Sequence, residues 1–304
     1  MRHPRVGAFL AAAALATSAC SSTQPGTAAY VGDATVSVQR LQSQVDAVLA
    51  YRSGPANADV RSRLPMITQQ VLGQDVLGGL IDAALARTNF AVNEQEISTQ
   101  LASVDASTVL GQPAQTYLTP DSLTALVRDQ LVLVQLGRQA WDGLSITVDL
   151  VTATDRADAS AKAQRMAVGD AESAAVVQEA VAAQRQATSG LVLNPAEAPS
   201  LTATPVFATP AGSALAFALQ GKQWYAARIV SRSTDSAPST AANAVAAAQA
   251  PVANTLSLGL SLLPRLAGDP QVRLNPRYGQ WDPSAARVIA NSDVPSAVVV
   301  GATG

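Results

Sequence analysis

Residues 80–104 read LIDAALARTNFAVNEQEISTQLASV, and the fold turns on how this stretch is divided. Its first part closes an apolar run that begins near Leu64, in which Ile67, Val71, Val76, Leu80 and Ile81 recur at helical spacing. Its second part, Asn93-Glu94-Gln95-Glu96, has the spacing of a capping box. The Asn93 side chain can accept from a free helix N–H, and Glu96 can reach back to the N–H of Asn93. Two helices with a short break are therefore expected, the second running through Leu101. Within the first, Pro65 fits the opening turn. Gly73, Gly78 and Gly79 lower its propensity by up to ~1 kcal/mol each and either permit close packing or mark a bend.

Upstream, Ser53-Gly54-Pro55 separates this run from a helix carrying Val38, Leu41, Val45 and Val48, with Ser37 as its cap. Residues 30–36 (YVGDATV) read as a short strand around a Gly-Asp turn. Downstream, residues 105–118 look irregular. Thr119-Pro120-Asp121 then opens a strongly apolar helix with Tyr117 and Trp141 near its ends, as core or as exposed contacts.

Beyond it, residues 145–151 (SITVDLV) alternate like a strand, residues 155–168 and 172–187 are Ala-rich and helical, and residues 189–205 form a polar loop. Residues 212–219 and 223–231 flank a Gln-Gly-Lys turn and predict a β-hairpin. Residues 233–240 read as a linker. The almost uncharged stretch 241–266 carries Gln249, Pro251 and Asn254, which fit two packed helices better than a membrane span. The string VRLNPRYGQWD follows at 272–282. Val272 and Leu274 are expected to pair as a strand with Tyr30 and Val31, and Arg277, Tyr278 and Trp281 are candidates for anchoring that closure. Residues 284–304, with few charges and no clear period, are expected to be a loose tail.

Composition excludes much chemistry. The chain has one His, His3, and one Cys, Cys20. If residues 1–19 are removed, no imidazole remains for Ser-His-Asp or Cys-His catalysis, for His-ligated zinc or for HExxH proteolysis. One Cys also cannot form a disulfide within the chain. Without Arg2 and Arg5 the positive residues fall from 20 to 18 against 22 negative, a net charge of −4, and nothing there points to nucleic acid. Met1 to Arg5 is positive, Val6 to Ala16 is apolar, and Thr17-Ser18-Ala19 is small. This is the pattern of an export signal whose apolar run, roughly 11 residues, is too short to span a bilayer. Cys20 at its end resembles a bacterial lipobox, in which the thiol receives diacylglycerol, although Thr17 stands where Leu is usual. The alternative is ordinary cleavage near Ala19.

The order of these features resembles the SurA and PrsA-like foldases. The opening Ala29-Tyr30-Val31-Gly32-Asp33, the Leu80-Ile81 pair and Val92-Asn93-Glu94-Gln95-Glu96-Ile97 match that family's N-terminal helical domain. Residues 143–232 resemble the parvulin prolyl isomerase domain that follows it, with Gly212-Ser213 and Trp224-Tyr225-Ala226-Ala227-Arg228-Ile229-Val230 at its closing hairpin. The closing VRLNPRYGQWD string resembles actinobacterial lipoproteins of this type. Parvulins carry two His in their groove. Here those positions fall near Asp149 and at about Ala226, and the family's Gly-Gly-Asp-Leu-Gly segment is missing.

The resemblance implies an α+β protein: a mainly helical chaperone module closed by a C-terminal segment, with a small inserted parvulin-like domain. The expected divisions are a signal at 1–19, a tether at 20–28, a helical domain at 29–142, a degenerate parvulin-like domain at 143–232, returning helices and strand at 233–283, and a tail at 284–304. The expected function is that of a lipid-anchored envelope chaperone for unfolded or newly exported polypeptides. It would use no cofactor, no metal, no nucleic acid and no ATP, since no Gly-rich phosphate loop occurs. If Cys20 is not lipidated, the protein is secreted. A weakly active prolyl isomerase and a structural adaptor for one envelope partner are the alternatives.

Overall fold

The computed structural model describes residues 26–52, 60–88, 90–112, 115–141, 143–219, 223–234 and 250–301. His3, Cys20, the whole export signal and the turn at 220–222 lie outside them. Strands β1 (Thr27–Val31) and β2 (Ala34–Ser37) form an antiparallel hairpin around Gly32, whose φ of 58° is a left-handed conformation that glycine adopts freely. The Ser37 hydroxyl accepts from Arg40 N–H at 3.1 Å and so starts helix α1 (Val38–Tyr51). That helix buries Leu41, Val45 and Val48. Helix α2 (Leu64–Thr88) turns Ile67, Leu72, Leu80 and Ile81 into the same core. Each such side chain contributes about 1.5–3 kcal/mol on leaving water.

Helix α3 (Glu94–Ser103) starts where the capping spacing predicts, with Asn93 Oδ1 accepting from Glu96 N–H at 3.0 Å. The reciprocal half differs. Asn93 N–H donates to Gln135 Oε1 instead, and the Glu96 carboxylate accepts from Arg138 and Gln135, tying α3 across to the next long helix. Between them lies α4 (Ala106–Leu110), a one-turn helix where irregular chain was expected. Asp105 caps it by accepting from the N–H groups of Ser107 and Thr108. Helix α5 (Pro120–Trp141) completes the group.

A five-stranded antiparallel sheet follows. It is built from β3 (Ser145–Ala153), β4 (Ala187–Leu193), β5 (Ala214–Leu219), β6 (Gln223–Ser233) and, from the far C-terminus, β10 (Ala297–Val300). The order is β10-β5-β6-β3-β4. Helices α6 (Arg156–Met166) and α7 (Asp170–Ala182) cover one face, where Ala159, Ala163, Met166 and Val176 meet Val151, Ala216 and Ala226. The other face packs Val148, Leu215, Phe217 and Ile229 on Trp141, Phe207 and helix α8 (Val252–Leu266).

Helix α8 is shared between cores. Leu263 joins the core of α1, α2 and α5, while Leu258 and Leu262 join the sheet's core. After it, β7 (Val272–Leu274) pairs antiparallel with β1, and β8 (Gln280–Asp282) pairs with β9 (Arg287–Ile289). No helix among the described residues is long and apolar enough to cross a membrane.

The architecture is α+β, and several expected boundaries move. The tether cannot extend to residue 28, because β1 begins at Thr27 and Ala28 is fully buried. The loop expected at 189–205 contains most of β4. Its exposed edge carries little burial signal, and it leaves register opposite Asp149, where Gly190 takes a φ of 66°. Residues 284–301, the described part of the expected tail, are not loose. They supply β9 and β10, and Ala297 packs into the sheet's core opposite Phe217. Residues 143–232 therefore do not complete their sheet alone.

Candidate functional site

Asp149 and Ala226, the positions expected to stand in place of the parvulin histidines, lie on neighbouring strands. Asp149 of β3 is paired with Arg228 of β6, and Ala226 is paired with Val151, so both residues share the face covered by α6 and α7. Ala226 is fully buried. Asp149 is 6% exposed, and its carboxylate is saturated by hydrogen bonds. Oδ2 accepts from Ser173 Oγ at 2.7 Å, and Oδ1 accepts from Ser189 Oγ at 2.7 Å and Gly190 N–H at 3.0 Å. Burial pushes the Asp149 carboxyl up, but the two hydroxyls, the amide and the nearby Arg228 outweigh it and hold the group below the ordinary carboxylate range. Arg228 in turn pairs with the carboxylate of Asp170, at the start of α7. This constellation fastens α7 and β4 to the sheet, and at Asp149 and Ala226 it leaves no opening for a substrate.

The closure residues lie together at the opposite end of the chain's path. Val31 is opposite Val272, Tyr30 opposite Arg273 and Ala29 opposite Leu274. The Arg273 guanidinium lies over the Tyr30 ring at 4.9 Å. Arg277 is exposed and stacks on Tyr278 at 5.0 Å. Trp281 lies in β8 opposite Val288 and lines a pocket of about 470 Å³ with Leu80, Pro264, Pro270 and Leu274. The polar anchors are shorter residues. Asn275 N–H donates to Ala28 O at 2.8 Å, and its side-chain amide donates to Thr27 O at 3.3 Å. Asp282, 1% exposed, accepts from the backbone N–H and hydroxyl of both Ser284 and Ser296. Both sit within VRLNPRYGQWD, where their short side chains give no hint of these contacts.

A larger cleft of about 700 Å³ opens between β1–β2, α1, α2 and α5. Its floor is apolar, with Val36, Val48, Val71, Leu77 and Leu126. Gly79 lies against β1, where a Cβ would meet Val31 at 3.5 Å, an ordinary contact. The wall is acidic: Asp75, Asp82, Asp121 and Asp129 line the cleft, with Arg40 the one cation among the described lining residues. Arg40 Nη2 and Gln44 Nε2 both donate to Asp75 Oδ1, at 2.9 and 3.0 Å. Burial raises the Asp129 carboxyl to about 6; Arg128 opposes that shift and Asp82 adds to it. Sequence periodicity identifies the helices that build this cleft but not the cleft itself. Among the described residues no group of three or more His, Cys, Asp or Glu side chains is placed to hold a metal ion.

No protein-family model and no curated protein matches the chain. Among solved structures, the chain is similar to the crystal structure of the foldase protein PrsA from Lactococcus lactis, at 13% sequence identity and a TM-score of 0.27. The alignment covers 82% of this chain and 94% of that one. At that TM-score the likeness fixes neither fold nor function.

Proposed function

We propose that this chain is a non-catalytic, ATP-independent chaperone or foldase for exported polypeptides, held at the outer face of the cytoplasmic membrane by a lipid on Cys20. The observation that carries this reading is the cleft of about 700 Å³ on the helical module, open to solvent and floored by Val36, Val71 and Leu126. An exposed apolar concavity rimmed by polar groups suits transient capture of unfolded chain. The sheet of residues 143–232 serves on this reading as a parvulin-like structural domain whose isomerase positions have been given over to packing. In support, Ala226 is sealed and Asp149 is bonded to its neighbours.

Light scattering from a chemically unfolded client diluted into buffer tests the chaperone reading. Suppression of aggregation at near-stoichiometric protein is expected, and no suppression overturns it. A protease-coupled assay on an X-Pro peptide should give rates equal to buffer; a faster rate favours the isomerase alternative. Crosslinking in cells should trap many exported chains, whereas a single trapped species favours the adaptor. Intact-mass analysis of membrane-extracted protein should find a diacylglycerol adduct that Cys20→Ala removes.

A further inference from the structure

The acidic wall of the cleft has an incomplete hydrogen-bond set. Asp75 and Asp82 lie on one face of α2, seven residues apart, with Gly78 and Gly79 between them. Asp129 approaches the same stretch from α5, its Oδ2 3.9 Å from where a Cβ on Gly78 would stand. The missing side chain at Gly78 leaves room beside the Asp129 carboxylate, on the helix face that also carries Asp75 and Asp82. The Asp75 side chain is only 7% exposed, and both of its donors, Arg40 and Gln44, reach the same oxygen. Its Oδ2 is buried without a partner, and so is Gln44 Oε1. Both are acceptors. A buried unpaired acceptor costs about 1–3 kcal/mol, more when charged, so this wall stores an unmet demand for donors. Gln74 Nε2, a buried donor without a partner, lies on the same lining and is suited to a main-chain carbonyl.

We propose that the cleft takes an extended polypeptide segment carrying a Lys or Arg side chain, whose cation enters between Asp75 and Asp129 beside Gly78 while adjacent apolar side chains rest on the floor. This rests on the chaperone reading and specifies which segments of a client are held. An ammonium or guanidinium supplies several donors at once, which suits a wall in which Asp75 Oδ2 and Gln44 Oε1 are both without a partner. It also relieves the repulsion between Asp82 and Asp129. Arg40 does not fill the site: its side chain is 65% exposed and it donates to Asp75 at Oδ1, not Oδ2.

Fluorescence anisotropy with the purified full chain tests this, using one labelled apolar decapeptide in three forms carrying two Lys, two Gln or two Glu. The Lys form is expected to bind at least about tenfold more tightly than the Glu form, and the gap should narrow as salt rises and screens the wall. Asp75→Asn and Asp129→Asn should each reduce the Lys-over-Gln preference while leaving the thermal unfolding transition cooperative. Equal binding of all three forms, or an unchanged preference in the double variant, overturns the proposal. If the forms bind equally while client aggregation is still suppressed, the chaperone reading stands and charge selection falls. If no form binds and aggregation proceeds, both fall. Spermidine should compete only weakly, and competition as strong as the Lys peptide's would assign the site to a free polyamine.

Discussion

Gly137 of α5 and Gly259 of α8 face each other where the two helices cross, so closely that their main chains are the contact surface. A Cβ on Gly137 would overlap the Thr255 carbonyl and stand 3.0 Å from Gly259 N; one on Gly259 would overlap the Leu133 carbonyl and stand 3.2 Å from Gly137 N. Because α8 serves the helical core and the sheet core together, this crossing sets the spacing of both.

Gly137→Ala and Gly259→Ala should each therefore destabilise the protein. Backbone overlap cannot be relieved by a rotamer change, so the helices must separate, at a cost of about 1–3 kcal/mol or more against a propensity gain of at most ~1 kcal/mol. Gly73→Ala in α2 is the control, since its Cβ would meet Val288 at 3.7–3.8 Å, an ordinary contact. It should be neutral or slightly stabilising. Urea unfolding separates these outcomes, and a Gly137→Ala protein as stable as the parent would contradict the crossing.

Asp149→Ala should cost about 1–3 kcal/mol, because it leaves the fully buried Ser173 hydroxyl unpaired and frees Ser189 and Gly190 at the β4 bulge. The pH dependence follows from the depressed carboxyl. Its contribution is complete above the unfolded value near 4 and is lost as pH falls through the lower folded value. Asp149→Asn should flatten the acid limb of a plot of Tm against pH; an unchanged limb would show that the carboxylate adds nothing there.

Asp129 carries the opposite sign. Its folded value of about 6 means that the folded protein keeps a proton the unfolded chain has already released. Its contribution to stability therefore declines as pH rises from about 4 to about 6, and Asp129→Asn should gain on the parent across that interval and stay ahead above it. Paired thermal melts from pH 4 to 7.5 measure the difference, which should widen and then level.

Asp282→Ala should release the C-terminal strand while leaving the helices intact. The carboxylate holds both Ser284 and Ser296, and Ser296 immediately precedes β10. Amide exchange should accelerate at residues 297–300 and at their partners in β5, far more than in α2. Uniform acceleration would mean that the strand is held by its own pairing.

Helices α1, α2 and α5 are legible in the chain because each owns a buried stripe that repeats with the helical turn. The β3–β6 core of the sheet is legible for the analogous reason, a period of two. The strands that escape detection are edges. β4 breaks its alternation at Ser189-Gly190 to reach Asp149, and β10 is four residues long with a partner, β5, remote in sequence. The cleft is invisible for a further reason. The seven-residue spacing of Asp75 and Asp82 can be read from the chain, but Asp129 joins them only through packing. Within VRLNPRYGQWD the large residues Arg277, Tyr278 and Trp281 attract notice, yet Asn275, Gln280 and Asp282 make hydrogen bonds to main chain that secure the segment, and nothing in their identity announces it.

The pairing of β1 with β7 places a schedule on biogenesis. Thr27 and Asn275 are joined although 248 positions separate them, so the small sheet on which the helical module rests lacks an edge until the chain has been made as far as β7. Strands β3 to β6 find one another within residues 145–233 and can pair earlier, whereas β1 waits for β7. Contacts of such long range slow folding, because a large loop must close before they return any free energy. During that interval the apolar stripes of α1 and α2 remain uncovered on one side. A protein proposed to shelter other chains is itself, for that interval, a chain in need of shelter.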